Sequence, residues 1–328
     1  MLCALRRLGR RDLSEYQHNR AQARGAHATP QGQGPVRPVP VSQGKRKRSG
    51  GVWRAVFIVS LIVFLCAAGA LAFIGYGYWH GQQNNKQLEQ IGFNAPDAAE
   101  LQRTDLASFT VDWDALRAIN PDVVGWIYVP GTTVNFPIVH GTDDEHYLKT
   151  DFYGQTGWVS FGSIFLSAAN AADFSDANNI VYGHHLNNGS MFSPFADFGD
   201  ADTFNGHRIV YVFTPTANYQ LTTFSIVHCA ADDPLAQTAF ASEDERQAYV
   251  QDKVDRSAVA VAGLPSAANM KHTFAFSTCD NLASNGRWVL FAYESGSTAA
   301  ASSVVADDSN INPEDVAAVS EAAKETAA

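Results

Sequence analysis

Cysteine is scarce in this chain: four in 328 residues, at positions 3, 66, 229 and 279. So few thiols, so widely spread, exclude the disulfide-stapled scaffold on which small secreted domains depend. Positive charge is also scarce, but only over part of the chain. Twelve of the 23 Lys and Arg residues fall within residues 1–54, opposed only by Asp12 and Glu15, and everything beyond carries 11 basic against 31 acidic residues. That surplus of negative charge excludes a nucleic-acid binder, which needs Lys and Arg to displace the counterions of phosphate. No internal repeat is present, which removes solenoids and propellers.

What the chain does have is one long apolar run. Residues 55–78, AVFIVSLIVFLCAAGALAFIGYGY, contain no charge and no proline. About 20 apolar residues suffice to cross the hydrocarbon core as a helix, whereas the apolar part of a cleaved secretory signal has only about 7–15. The run therefore reads as a retained transmembrane helix. The cluster KRKR at 45–48 lies just before it, and positive charge is held on the cytoplasmic side, so the N-terminus is expected inside and the rest outside. Residues 1–54, rich in Gln, Gly, Pro and Arg, read as a disordered cytoplasmic tail. Residues 296–328, almost free of large apolar side chains, read as a second, acidic and Ala-rich one. Between them, residues 79–295 hold enough branched and aromatic side chains for one sizeable core.

Within that segment the spacing predicts helices over 79–93, 111–120, 189–198 and 242–259. Short strands are expected at 124–129, 134–139, 161–167, 178–184, 207–213, 219–229, 272–279 and 286–293, punctuated by Gly, Pro, Asn and Asp. Many short strands with such punctuation indicate a mainly β barrel or sandwich. The helix at 242–259 sets Tyr249, Val250, Val254 and Val259 on one stripe with charges elsewhere, the pattern of an amphipathic surface helix.

Cys3 falls in the tail and Cys66 in the span, which leaves two thiols outside. Cys229 ends the apolar strand FSIVHC and reads as a small core residue. Cys279 ends HTFAFSTC and admits two readings. It pairs with Cys229 in a disulfide, or it is a nucleophile. A thiol with a pKa near ~8.5 needs a neighbouring cation or base to act at neutral pH. Two side chains answer that need. Arg287 opens the next strand after a short connection, so antiparallel pairing returns it beside Cys279. His184 ends the strand NNIVYGH and is followed by a turn, which sets its ring on a rim. Either residue could equally be an ordinary surface side chain, because such sites are fixed by geometry rather than by spacing.

The blocks NNIVYGHHLNNGSMF, TFAFSTCD and NGRWVLF together resemble the sortases, membrane-anchored cysteine transpeptidases of Gram-positive cell surfaces, and class B fits best. VDWDALRAINPDVVGWIYVPGTTVNFPIVHGTDDEHYLKTDF resembles the N-terminal helix and first strands of that class, FGSIFL its third strand, and 242–259 its long helix before the cysteine strand. The resemblance runs from Val111 to Tyr293. It implies a single closed barrel of about eight strands with N-terminal helices. It implies a catalytic His184, Cys279 and Arg287, with His185 turned away, and a substrate groove touched by Ser277, Thr278, Asn135 and Tyr182. The implied reaction cleaves the C-terminal sorting motif of secreted surface proteins and joins the new carboxyl end to a peptidoglycan precursor or other amine. No cofactor, metal or nucleic acid is implied, and the membrane is engaged through one helix. A pilin-polymerising sortase is the neighbouring alternative, and a non-catalytic wall-binding or adhesion module the more distant one. Departures sit beside the chemistry: Phe276 where leucine is common, His185-Leu186 for Asn-Met, and Ser167 for an aspartate.

Overall fold

The computed structural model describes residues 50–96, 98–101, 103–156, 161–230, 233, 237–280 and 286–299. The tail expected over 1–54 lies outside the described residues up to 49, and the one expected over 296–328 from residue 300 on. Two compact units are distinguished, residues 1–58 and 59–328.

Helix α1 runs unbroken over Gly50–Gly92. It therefore joins the apolar run to the helix expected at 79–93, since the glycines between are not followed by a helix-stopping proline. Among the described residues it is the one helix long and apolar enough to cross a membrane. Its last turns change character, and Leu88 and Gly92 are buried against the barrel. A Cβ on Gly92 would collide with Trp126 and Leu116, so this close approach requires glycine. Short helices follow at Ala98–Leu101 (α2) and Trp113–Ile119 (α3), the latter capped by the Asp112 carboxylate, which accepts from the Ala115 amide.

All eight expected strands form: β1 Val123–Tyr128, β2 Asn135–His140, β3 Ile164–Leu166, β4 Asn178–Tyr182, β5 Ile209–Phe213, β6 Asn218–Ala230, β7 Thr273–Cys279 and β8 Gly286–Ser297. They close into a barrel in the order β1-β2-β3-β4-β7-β8-β6-β5. The β2–β3 and β4–β7 pairs are parallel and the other neighbours antiparallel. Closure removes the exposed edges that an open sheet would carry. β8 reaches two residues into the stretch read as a tail, where Gly296 and Ser297 pair with Gln220 and Tyr219.

Alternation along the strands builds three cores. Ile127, Ile138, Leu166, Val181, Val212, Ile226, Phe276 and Leu290, one from each strand, fill the barrel interior. Outward residues of β1, β2, β3 and β5 pack beneath the N-terminal helices around Trp126, Phe93 and Phe213. Outward residues of β4, β6, β7 and β8 pack beneath α7, Glu243–Asp255, around Tyr249, Val250 and Phe291.

The remaining helices are short: His146–Lys149 (α4), Pro194–Asp197 (α5) and Ala201–Gly206 (α6). The helix expected over 189–198 is thus a single turn. Its first half instead folds back, with His185 and Met191 bridged and Met191 at a left-handed φ of 58°. The helix expected to 259 ends at Asp255, and Val259 is buried beyond it. Two of the α7 charges expected to be solvated are buried instead. The Arg246 guanidinium donates to the carbonyls of Ala267 and Met270, and Lys253 lies 4.4 Å over the Tyr249 ring. Long side chains can bury their stems this way while their heads find partners.

Candidate active site

Register decides which side chains meet. Cys279 is the last residue of β7 and Arg287 the second of β8, and the two are direct partners across the antiparallel pair. Directly opposed residues share a face. Because Phe274 and Phe276 point into the barrel, Ala275, Ser277 and Cys279 point out, as does Arg287 beside Val289 and Phe291. On the other side of β7, Tyr182 of β4 is the partner of Ser277. One step on, the Gly183 amide donates to the Ser277 carbonyl at 3.0 Å, so the chain leaving β4 passes the level of Cys279 as it reaches His184.

The two histidines at that point behave differently. His185 Nδ1 lies 2.9 Å from the Cys279 carbonyl oxygen. The expectation that it faces away fails, because the backward fold joining His185 to Met191 turns its ring toward the end of β7. His184 Nε2 lies 2.7 Å from the Leu148 carbonyl at the end of α4. A carbonyl only accepts, so each contact makes the named nitrogen the protonated one: Nε2–H on His184 and Nδ1–H on His185. His184 also lines an open cavity of about 730 Å³ with Leu148, Phe161 and Leu186.

Tyr182 borders the same outer face. Burial is the main cause that raises its phenol above the ordinary tyrosine value, Asp144 adds to the rise, and a Ser167 hydrogen bond and the Arg287 charge oppose it. Arg287 thus lies within electrostatic reach of Tyr182 as well as opposite Cys279. Ser167, which departs from the family pattern, donates to Asp144 at 3.1 Å.

Two of the expected groove residues are not on the outer face that Cys279 and Arg287 share. Thr278 points inward with its partner Trp288, is 2% exposed, and its hydroxyl has no hydrogen-bond partner. Asn135 sits on β2, three strands from β7 in the barrel order, and its Oδ1 accepts from the Trp126 indole at 2.7 Å. Its carbonyl group is engaged in holding the outer core beneath the N-terminal helices together.

Both outer cysteines are free thiols. Cys229 is the β6 partner of Arg287, so β8 separates it from Cys279. Strands lie about 4.8 Å apart, and two spacings exceed the Cα separation of about 7 Å that a disulfide can bridge. Burial and the Asp233 charge push the Cys229 thiol up to about 11, against its ordinary 9.0. It is therefore a poor nucleophile at neutral pH.

One element of the site was quoted in the sequence but given no role. Asp280 follows Cys279 on the inward side, its side chain 1% exposed, and accepts from His228 Nε2 of β6 at 2.9 Å. The His228 ring stacks on Trp288 with centroids 4.5 Å apart. The Asp280 amide donates to the Gly286 carbonyl at 3.0 Å, and a Cβ on Gly286 would overlap the Asp280 carboxylate. Asp280, His228 and Gly286 thus tie the ends of β6, β7 and β8 together directly behind Cys279 and Arg287. An acidic residue beside a single cysteine, and a glycine before the arginine, were the available signals.

No family model matches the chain. Two curated relatives do. Sortase B of Listeria monocytogenes serovar 1/2a is 26% identical over 222 residues, covering 66% of this chain and 87% of that one. Sortase B of Staphylococcus aureus is 29% identical over 147 residues, covering 45% of this chain and 59% of that one. Among solved structures, sortase B of Bacillus anthracis superposes with a TM-score of 0.57 at 26% identity, covering 67% of this chain and 98% of that one. Sortase B of Clostridium perfringens is 30% identical, with a TM-score of 0.51, covering 55% of this chain and 98% of that one. With 30% identity sustained over nearly the whole of a solved relative, and the same barrel underneath, the chain belongs to the sortase B family of cysteine transpeptidases.

Proposed function

We propose that the chain is a membrane-tethered transpeptidase that cleaves a C-terminal sorting motif of secreted surface proteins and transfers the new carboxyl end to an amine of the cell wall. The observation that carries this reading is the direct pairing of Cys279 with Arg287 on the outer face of β7 and β8. A fixed cation opposite a thiol favours the thiolate and offers a planar, five-donor fork to a developing oxyanion. The chemistry follows from these residues. The Cys279 thiolate attacks the scissile carbonyl, and the negative charge that builds on its oxygen is met by the Arg287 guanidinium. Collapse breaks the C–N bond, and His184, as imidazolium, gives its proton to the leaving amine, which leaves a thioester and a neutral ring. An incoming primary amine then attacks the thioester. His184 takes one of its protons as the C–N bond forms, and the C–S pair returns to sulfur, regenerating thiolate and imidazolium. Ser277 and Tyr182, which share the face of Cys279, would line the peptide groove. The apolar helix α1 would hold the domain at the outer membrane surface, where precursor and secreted substrate both emerge.

The test is mass spectrometry of the ectodomain mixed with a sorting-peptide library. A thioacyl adduct should appear on the wild type at Cys279 and never on Cys279→Ala. A wild type that acylates with no peptide, or at Cys229 instead, overturns the reading.

A further inference from the structure

The Leu148 carbonyl lies at the end of the short helix α4, where carbonyls lack a partner within the helix, and it takes its hydrogen bond from His184, which lines the same open cavity. That carbonyl is held from both sides. Tyr147, buried beside it, donates through its hydroxyl to Asp122 at 2.6 Å, which ties α4 to the entry of β1. Ser163 closes the other side: its amide donates to the Tyr147 carbonyl and its hydroxyl to the Thr150 carbonyl, both at 2.9 Å. Between them lies Gly162, at a left-handed φ of 68°. A Cβ there would stand 2.8 Å from each of the Tyr147 and Leu148 carbonyls and 3.0 Å from Cδ2 of His184. Backbone atoms cannot yield as a flexible side-chain tip can, so any side chain at 162 must move the ring or the carbonyl it bonds.

We propose that Gly162 is a positioning residue: it lets the α4 carbonyls and the His184 ring close together, so that Leu148 holds His184 as the Nε2–H tautomer and leaves Nδ1 to exchange protons with substrate. This rests on His184 being the acid–base group of the proposed reaction. The clamp fixes both the ring plane and the working nitrogen before substrate arrives, which is how a residue that touches no substrate affects rate. His185 next to it is held in the opposite tautomer by the Cys279 carbonyl, so the two adjacent rings are not interchangeable.

Ring-¹⁵N-histidine NMR reads the clamp directly and needs no activity. Wild type should show a slowly exchanging Nε2–H for His184, assigned by its loss in His184→Gln, whether or not Nδ1 also carries its proton. Gly162→Ala should lose that resonance and cut kcat for single-turnover acylation by about tenfold to a hundredfold with KM little changed. Gly263→Ala is the control: its φ is 70° but no atom lies within 4 Å of the added Cβ, so it carries similar backbone strain without the collision. It should acylate at the wild-type rate. A wild-type His184 protonated at Nδ1 and not at Nε2, or a Gly162→Ala enzyme that acylates like Gly263→Ala, overturns the proposal. If Gly162→Ala does not fold, the wild-type tautomer alone decides. A wild type that never acylates while keeping the protected Nε2–H defeats the transpeptidase reading and leaves the clamp standing.

Discussion

The two halves of the candidate site are built by different means. Cys279 and Arg287 sit on neighbouring strands whose register runs unbroken from Thr273↔Tyr293 to Cys279↔Arg287, so seven backbone pairings fix their juxtaposition. His184 lies past the end of β4, and its ring is held by one hydrogen bond to a carbonyl on a four-residue helix. A ladder transmits position through many bonds, and losing one shifts little. A turn depends on one or two contacts, and losing either frees the side chain. The strand half should therefore tolerate changes around it, whereas the histidine half should respond to substitutions that touch no reacting atom.

The largest effects come from the reacting groups and test whether both halves belong to one site. His184→Ala should lower acylation by about 10²–10⁴, the range for removing a general acid. Arg287→Ala should lower it by about 10²–10³, the range for one oxyanion donor, and Arg287→Lys should recover little because a point charge lacks the planar fork. Single-turnover cleavage of a fluorogenic sorting peptide measures both. If Arg287→Ala cleaved normally, the strand pairing would be architecture without chemistry.

Next in size is the tie behind the strand half. Asp280→Ala removes the buried acceptor of His228 and should cost about 0.5–1.5 kcal/mol, the range for one hydrogen bond, because the half-exposed His228 ring can turn to water instead. A chemical melt reads it. The comparison is sharpened if stability falls while the remaining folded enzyme still acylates, because the ladder would then hold Cys279 and Arg287 opposite each other unaided. A loss of acylation with no loss of stability would show that the register alone does not set the pair.

His185→Ala should fall lower still, at about tenfold or less, since it deletes the hydrogen bond to the Cys279 carbonyl but no reacting group. The same cleavage assay at matched enzyme concentration gives the ratio. If His185→Ala were silent and His184→Ala inactive, the contact to Cys279 would be incidental. The reverse pattern would move the acid–base role to His185.

This division also explains what could be read from the chain. The eight strands were legible because alternation and turn residues are local signals, and register followed for β7 and β8 because the connection between Asp280 and Gly286 is short. Cys279 and Arg287 are products of that local information. The contacts of His184 and His185 were not legible, because Leu148 lies 36 residues from its histidine and Cys279 lies 94 from its own. The inward side chain of Thr278 follows from strand parity, which puts it on the opposite face from Ser277, and motif likeness does not carry parity. The burial of Arg246 was hidden too, because its acceptors are loop carbonyls more than twenty residues on.

The smallest expected effect concerns the other thiol in the row. Cys229 shares a face and a partner, Arg287, with Cys279, yet lies against the outer core beneath α7, where burial pushes it up to about 11. At pH 8 only about one molecule in a thousand carries a Cys229 thiolate, so alkylation there should be slow. Its rate should climb about tenfold per pH unit until the pH approaches 11. Because the folded value lies above the ordinary 9.0, the neutral thiol contributes to stability below about pH 9, and that contribution is lost as the pH rises toward 11. Cys229→Ala should leave acylation unchanged, since Arg287 keeps its pairing with Cys279 through the backbone. Iodoacetamide labelling followed by peptide mapping, with and without the substitution, measures this. Fast labelling of Cys229 at pH 8, or loss of acylation in Cys229→Ala, would mean that both thiols in the row serve the site and that burial beneath α7 does not silence the second.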